Sequence, residues 1–195
     1  MSSPIKLNLK VYQGSTFKQV LRWEASTKVY VPITNITKSA PVVITAPNHG
    51  APLGWRARVT NVSGMKEINS TEYNTITSTT LDTVTFNQVN SLGYTTYTSG
   101  GVLEYNSPIP LNGYSARMQI REKITSDTVI HTLTTSNGGI TFDDTVKTIT
   151  LTIPDSVTAA FNFTTAVYSL EFINYSQEVM TFATGSIALQ KEVTR

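Results

Sequence analysis

From Thr148 to Ile153 the chain reads Thr-Ile-Thr-Leu-Thr-Ile, an alternation of period two that suits a strand with one buried and one wet face. The pattern recurs. Met118 and Ile120 sit between Arg117, Gln119 and Arg121, and Tyr168, Leu170 and Phe172 form another stripe. Ile187 to Val193 repeats it close to the last residue, and Ile5, Leu7, Leu9 and Val11 alternate with Lys6, Asn8, Lys10 and Tyr12 near the first. Threonine supplies about one residue in six, and Val, Ile and Tyr are plentiful, all side chains that fit a pleated surface. Charged residues, whose long side chains favour helix surfaces, make up only 14%. An all-β fold is expected. Asp155 to Phe161 is the one segment that reads as helix: it follows Pro154, offers Asp155 or Ser156 as N-cap, and has room for one or two turns.

Turn residues cut this pattern into units. Gly14-Ser15 separates Ile5–Tyr12 from Phe17–Trp23, which predicts a hairpin. Two proline-bearing extended stretches, Tyr30 to Ile36 and Asn106 to Gly113, are alike in type, yet only the second leads straight into a strand, Tyr114 to Arg121. That asymmetry predicts a module spanning 35–106 inserted into a parent domain made of 1–34 and 107–195. Insertion at an exposed turn with adjacent ends costs little closure entropy. The parent domain, with turn signals about every 8 to 12 residues, is expected to be an immunoglobulin-like β-sandwich. The insert has short strand patterns at Val42–Ala46, Trp55–Val62, Thr75–Thr77, Thr83–Asn87 and Val102–Tyr105, the texture of a small β-barrel. Its thin core is expected to lean on a neighbour.

What the chain lacks narrows its chemistry. With no cysteine it has no disulfide, no thiolate nucleophile and no Cys-based zinc site. The formal charge of +2 is too small and scattered for a nucleic-acid groove. No basic-then-apolar leader follows the polar arm Met1-Ser-Ser-Pro4, and no apolar run approaches the ~18 residues of a membrane span, so synthesis in the cytoplasm without membrane contact is expected. His49 and His131 are far apart and lack His-x-x-x-His or Asp-x-Asp-x-Asp spacing, so His49 reads as a turn residue and His131 as a strand surface or rim. Asp143-Asp144 reads as a turn, because adjacent strand residues point to opposite faces. There is no Gly-x-Ser-x-Gly elbow and no phosphate-binding loop. No catalytic residue, metal or cofactor is expected.

Two resemblances add to this. The run Pro41-Val-Val-Ile-Thr-Ala-Pro-Asn-His-Gly50, then Trp55 to Met65 and Ile68-Asn69, resembles the small β-barrel module known as the first catalytic-cysteine half-domain of ubiquitin-activating enzymes. That module also recurs in structural proteins of tailed bacteriophages. Thioester chemistry does not follow, since no cysteine is present. The second resemblance covers 5–34 and 107–195. Gly14-Ser-Thr-Phe17, Leu111 to Arg121, Gly139-Ile140, Tyr168-Ser-Leu-Glu171 and Val193-Thr-Arg195 are similar to small phage virion proteins, including the N-terminal sandwich domains of upper baseplate proteins. The resemblance implies a virion component in a ring at the tail, neck or baseplate. With the sequence ending at Arg195 and no fibre or coiled-coil extension in it, an adaptor, collar or decoration role is expected rather than a complete fibre.

The candidate partner contacts are Tyr94 and Tyr97 in a Gly- and Ser-flanked loop, Trp55, and the basic pair Arg117 and Arg121 on one strand. Tyrosine supplies broad amphipathic area at low entropic cost, but the same two rings could instead close the barrel. Arg117 and Arg121 are either a solvated face or a stripe for an acidic subunit. The first strand and the C-terminal segment are candidates for strand exchange at free edges. The expected function is therefore non-enzymatic: a homo-oligomeric ring or adaptor bound to other virion proteins of the tail, portal or fibre. Two alternatives are a capsid decoration protein and a carbohydrate-binding module, the latter needing Trp55, Tyr94 and Tyr97 on an exposed face.

Overall fold

The computed structural model describes residues 4–192, so the arm Met1-Ser-Ser and the end Val193-Thr-Arg195 lie outside the described residues. The chain is all-β, as the alternation requires, with seventeen strands and a single five-residue α-helix among the described residues. It divides into two units: one comprises Met1–Arg22, Leu111–Asp144 and Thr148–Arg195, the other Trp23–Pro110 with Thr145–Lys147.

The first unit opens with β1 (Ile5–Lys6), β2 (Leu9–Tyr12) and β3 (Phe17–Leu21). The expected hairpin does not form. A turn is present at Gly14, but β2 pairs in parallel with the last strand, whereas β3 pairs with a strand of a different sheet. Leu9 and Val11 are buried, as their alternation demands, while Ile5 is 54% exposed. That stripe has one ladder partner rather than two, because its parallel neighbour leaves the opposite edge open.

The second unit holds β4 (Glu24–Pro32), β5 (Asn35–Ile36), β6 (Val42–Thr45), β7 (Arg56–Ser63), β8 (Asn74–Thr75), β9 (Ser78–Thr79), β10 (Thr83–Phe86) and β11 (Ser99–Pro108). Two four-stranded sheets, β5-β6-β10-β9 and β4-β11-β7-β8, share one apolar core. Val42, Ile44, Val84 and Phe86 come from the first sheet; Ala57, Val59, Leu103 and Tyr105 come from the second. The unit starts at Trp23 and ends at Pro110 rather than at 35 and 106. The cause is β4, which runs antiparallel to β11 from Glu24 to Pro32 and so belongs to this module. A residue-by-residue pattern cannot show which strand will pair with β4.

The chain then returns to the first unit as β12 (Ser115–Arg121), β13 (His131–Thr134), β14 (Ile140–Asp143), β15 (Thr148–Ile153), α1 (Asp155–Ala159), β16 (Thr165–Ile173) and β17 (Val179–Gln190). Six strands form one sheet in the order β1-β17-β16-β12-β13, with β2 also on β17; β14-β15-β3 forms a second. Phe142 of the three-stranded sheet meets Phe172 of the six-stranded one edge-on at 5.6 Å, and Phe182 stacks on Phe172 at 4.5 Å. Aromatic rings thus link the two inner faces, as a sandwich core requires. The helix forms where predicted, but Pro154 occupies the N-cap position and no side chain caps it. The two strands expected at Val179–Phe182 and Ile187–Val193 are one twelve-residue strand with a register shift beside Phe182.

Gly185 explains why that strand runs on and how the N-terminus attaches. Between β1 and β2 the register against β17 is unbroken, and Leu7-Asn8 runs close against Gly185. A Cβ there would sit 1.9 Å from the Leu7 carbonyl oxygen. The approach is pinned on both sides. The Leu7 N–H donates to Thr184 O at 2.9 Å, the Ser186 N–H to Asn8 Oδ1 at 3.2 Å, and the Tyr168 hydroxyl to Leu7 O at 2.7 Å. Burial pushes the Tyr168 phenol up to about 12, so it stays protonated and able to donate. Gly185→Ala should therefore destabilise the protein by about 1–3 kcal/mol, the usual cost of forcing volume into a packed contact. Urea unfolding checks the loss, and hydrogen exchange should show the amides of Leu9 and Val11 losing protection first.

Candidate functional site

The most organised polar arrangement was not foreseen. In β11 the alternation points Leu103 and Tyr105 into the core and Glu104 to the other face of the sheet, yet Glu104 is only 4% exposed. Register supplies the reason: Glu104 lies between Tyr30 of β4 and Arg58 of β7. Arg58 Nη2 donates to both carboxylate oxygens at 2.9 Å, the Tyr73 hydroxyl donates to Oε1 at 3.1 Å, and Lys28 Nζ donates to the same oxygen. Burial pushes the Glu104 carboxyl up, but the hydrogen bonds from Lys28, Arg58 and Tyr73 outweigh it and hold the group below the ordinary carboxylate range.

The layer continues outward. The guanidinium carbons of Arg58 and Arg56 lie 5.3 and 5.9 Å from the Tyr73 ring centroid, within cation–π range. Arg56 makes a two-pronged pair with Glu24, Nη2 to Oε2 at 2.8 Å and Nε to Oε1 at 3.2 Å, and Asn106 Nδ2 donates to the same Oε2 at 3.0 Å. Chemically this is a tie across the sheet. A carboxylate held ionised by three donors is a poor proton acceptor near neutral pH, where a general base must be poised.

The residues singled out from the sequence fall in separate places. Trp55 is fully buried in the second unit's core, with Nε1 donating to Asn106 O at 2.7 Å, so it offers nothing to a partner. Tyr94 and Tyr97 are half-buried and pack against the same core. The Tyr97 hydroxyl shares its single hydrogen between Ile33 O at 3.0 Å and Gly100 O at 2.9 Å. Their loop is tied down: the Thr95 N–H and hydroxyl both donate to Glu67 Oε1, and the backbone of Thr96 lies where a Cβ on Gly64 would be. Both rings thus help close the core while keeping part of their surface exposed. The exposed aromatic trio that glycan binding would need is not formed, because Trp55 lies inside.

Arg117 and Arg121 do share the outer face of β12. Arg117 is paired within its own unit, Nε to Glu171 Oε2 at 2.6 Å. Arg121 is held by neutral acceptors, Ser126 O at 2.6 Å and Gln119 Oε1 at 2.9 Å. His49 sits in a turn with Asn48 and Gly50 at positive φ, and is itself buried. Its Nδ1 accepts the Ala51 N–H at 3.0 Å, which leaves Nε2–H to donate to Thr83 O at 3.2 Å. His131 is half-buried against Phe161, and burial lowers its pKa. Asp143 ends β14, and Asp144 opens the turn and accepts the Leu111 N–H at 2.7 Å. Among the described residues no three His, Asp or Glu side chains gather as a metal site.

No protein-family model matches the chain, and comparison with curated proteins also gives no match. Two substitutions test the second unit. Trp55→Ala should cost about 3–5 kcal/mol, the range for deleting a large buried aromatic, measured by urea unfolding. Glu104→Gln should lower the unfolding midpoint near neutral pH by leaving Lys28 and Arg58 without their counter-charge. Because the folded carboxyl titrates below its unfolded value of about 4.3, its contribution is full above that pH and lost as pH falls through the folded value. The gap between wild type and variant should therefore close on acidification, read by thermal melts from neutral pH downward.

Proposed function

We propose that this protein is a non-enzymatic structural component of a tailed-phage virion, an oligomeric adaptor at the tail, neck or baseplate that is held by its neighbours. The observation that carries the reading is where the family-like segments lie. Gly14-Ser-Thr-Phe17, Leu111 to Arg121, Gly139-Ile140 and Tyr168 to Glu171 come from both sides of a long intervening stretch, yet they belong to one unit. Within it, β12 and β16 pair directly from Ser115↔Ile173 to Arg121↔Val167. The run Pro41 to Asn69, which carries the other resemblance, belongs to the second unit. The two sets of segments, each carrying its own resemblance, thus fall in different units.

The exposed edges support the same reading. β1 and β2 border the six-stranded sheet, β3 borders the three-stranded one, and Ile5, Tyr12 and Val20 are exposed along them. Open edges with apolar side chains suit addition of a neighbour's strand. Sedimentation velocity over about a hundredfold concentration range is the test. A shift from monomer to one discrete closed oligomer is expected; a strict monomer throughout, with no incorporation into particles by mass spectrometry of purified virions, would overturn it.

A further inference from the structure

The outer face of the six-stranded sheet carries a groove of about 680 Å³. Its floor is built by short side chains. Lys6, Thr184, Ser169 and Gln119 stand in one cross-strand row, and Ser186, Val167 and Arg121 in the next. An outward sheet face is commonly filled by long polar side chains, but here the two middle strands β16 and β17 present hydroxyls and a valine. The rims are different: Lys6 stands on one side, Arg121 and Ile124 on the other, and no carboxylate lines the groove. Ile124 is 88% exposed, an apolar side chain at the lip with nothing over it among the described residues.

Dimensions limit what fits. β1 and β12 are separated by β17 and β16, three strand spacings, which places the two cationic rims about 14 Å apart. That width admits one extended chain and its side chains, since stacked sheets sit about 10 Å apart. Along β12 a smaller depression lined by Arg117, Gln119, Ser169 and Glu171, the last neutralised by its pair with Arg117, continues the track, so the outward positions 117 to 121 run about 14 Å, the length of four or five extended residues. Arg121 is pre-oriented by Ser126 O and Gln119 Oε1, whereas Lys6 makes no ion pair among the described residues.

We infer that this groove docks an extended acidic peptide segment of a partner protein, its carboxylates reaching Lys6 and Arg121 and its apolar side chains covering Val167 and Ile124. Charge complementarity selects the occupant. Two cations on opposite rims over a neutral hydroxyl floor match alternating acidic and apolar residues. A nucleic-acid strand would want a continuous basic track with aromatic platforms; this groove has no continuous basic track, and its one aromatic lining residue, Tyr168, is buried with its hydroxyl on Leu7 O. The inference names a partner's chemistry for the assembly role proposed above, but it concerns the isolated chain and stands or falls separately from ring formation.

Fluorescence anisotropy with a labelled octapeptide alternating glutamate and valine tests it. Saturable binding is expected, weakened by salt, with a lysine–valine octapeptide and a single-stranded oligonucleotide both binding at least about tenfold more weakly. The charge reversal Lys6→Glu with Arg121→Glu should also weaken binding at least about tenfold, and Ser169→Trp, which fills the floor without changing charge, should abolish it. Amide shift mapping should place the changes on β12, β16 and β17. The inference is overturned if the acidic octapeptide fails to bind, if either variant binds as well as wild type, if the shifts fall elsewhere, or if the oligonucleotide binds more tightly.

Discussion

The contact between Leu7 and Gly185 is the constraint on which the first unit depends. It joins the first strand to the last in parallel, with hydrogen bonds reaching from Asn8 to Ser186 across 178 positions of sequence. Closing so long a loop costs entropy that grows only slowly with length, but the cost falls before the contact gives anything back. The return comes from several groups at once: the ladder of β1 and β2 on β17, the Tyr168 hydroxyl, and the burial of Leu9 and Val11. Without that seam the sheet would lose its border strands, and the groove would lose its Lys6 rim.

The second unit solves a different problem. Its two four-stranded sheets are small, and a small core has little apolar area to spare. It compensates with order on the outer face. Glu104 alone ties three side chains from β4, β7 and the segment before β8, and Glu24 and Arg56 extend the tie. Exposed ion pairs contribute little one at a time, but a shielded carboxylate with three donors is geometrically specific: it favours one register of β4, β11 and β7. Trp55, placed as a possible outer contact by its chemistry alone, serves the inner face of the same construction.

The groove is floored by strands whose outward side chains are short, and the edges of three sheets bear exposed apolar residues. The tyrosine loop is fastened by Glu67, Ile33 and Gly100, and its two rings pack in part against the unit's own core. In the fold Gly64 provides clearance for Thr96 to pass close by.

The amino-acid order by itself determined the class of fold, strands over Tyr114–Arg121, Thr148–Ile153 and Tyr168–Phe172 that the structure places within one or a few residues, the short helix after Pro154, and the turn around Asp144. Each follows from a local period, a proline or a turn residue, all legible within about ten positions. Only tertiary structure decided pairing: that β2 and β3 part company instead of forming a hairpin, that β4 joins the inserted module, and that Val179–Gln190 runs as one strand past a glycine. It also decided the site. Lys28, Arg58, Tyr73 and Glu104 are ordinary outward residues in sequence and become a cluster through register alone. Lys6, Ser169 and Thr184 likewise meet in a single row. Side-chain direction is set by the next bond in the chain, whereas neighbours across a sheet are set by which strands find one another, and that carries no local signature.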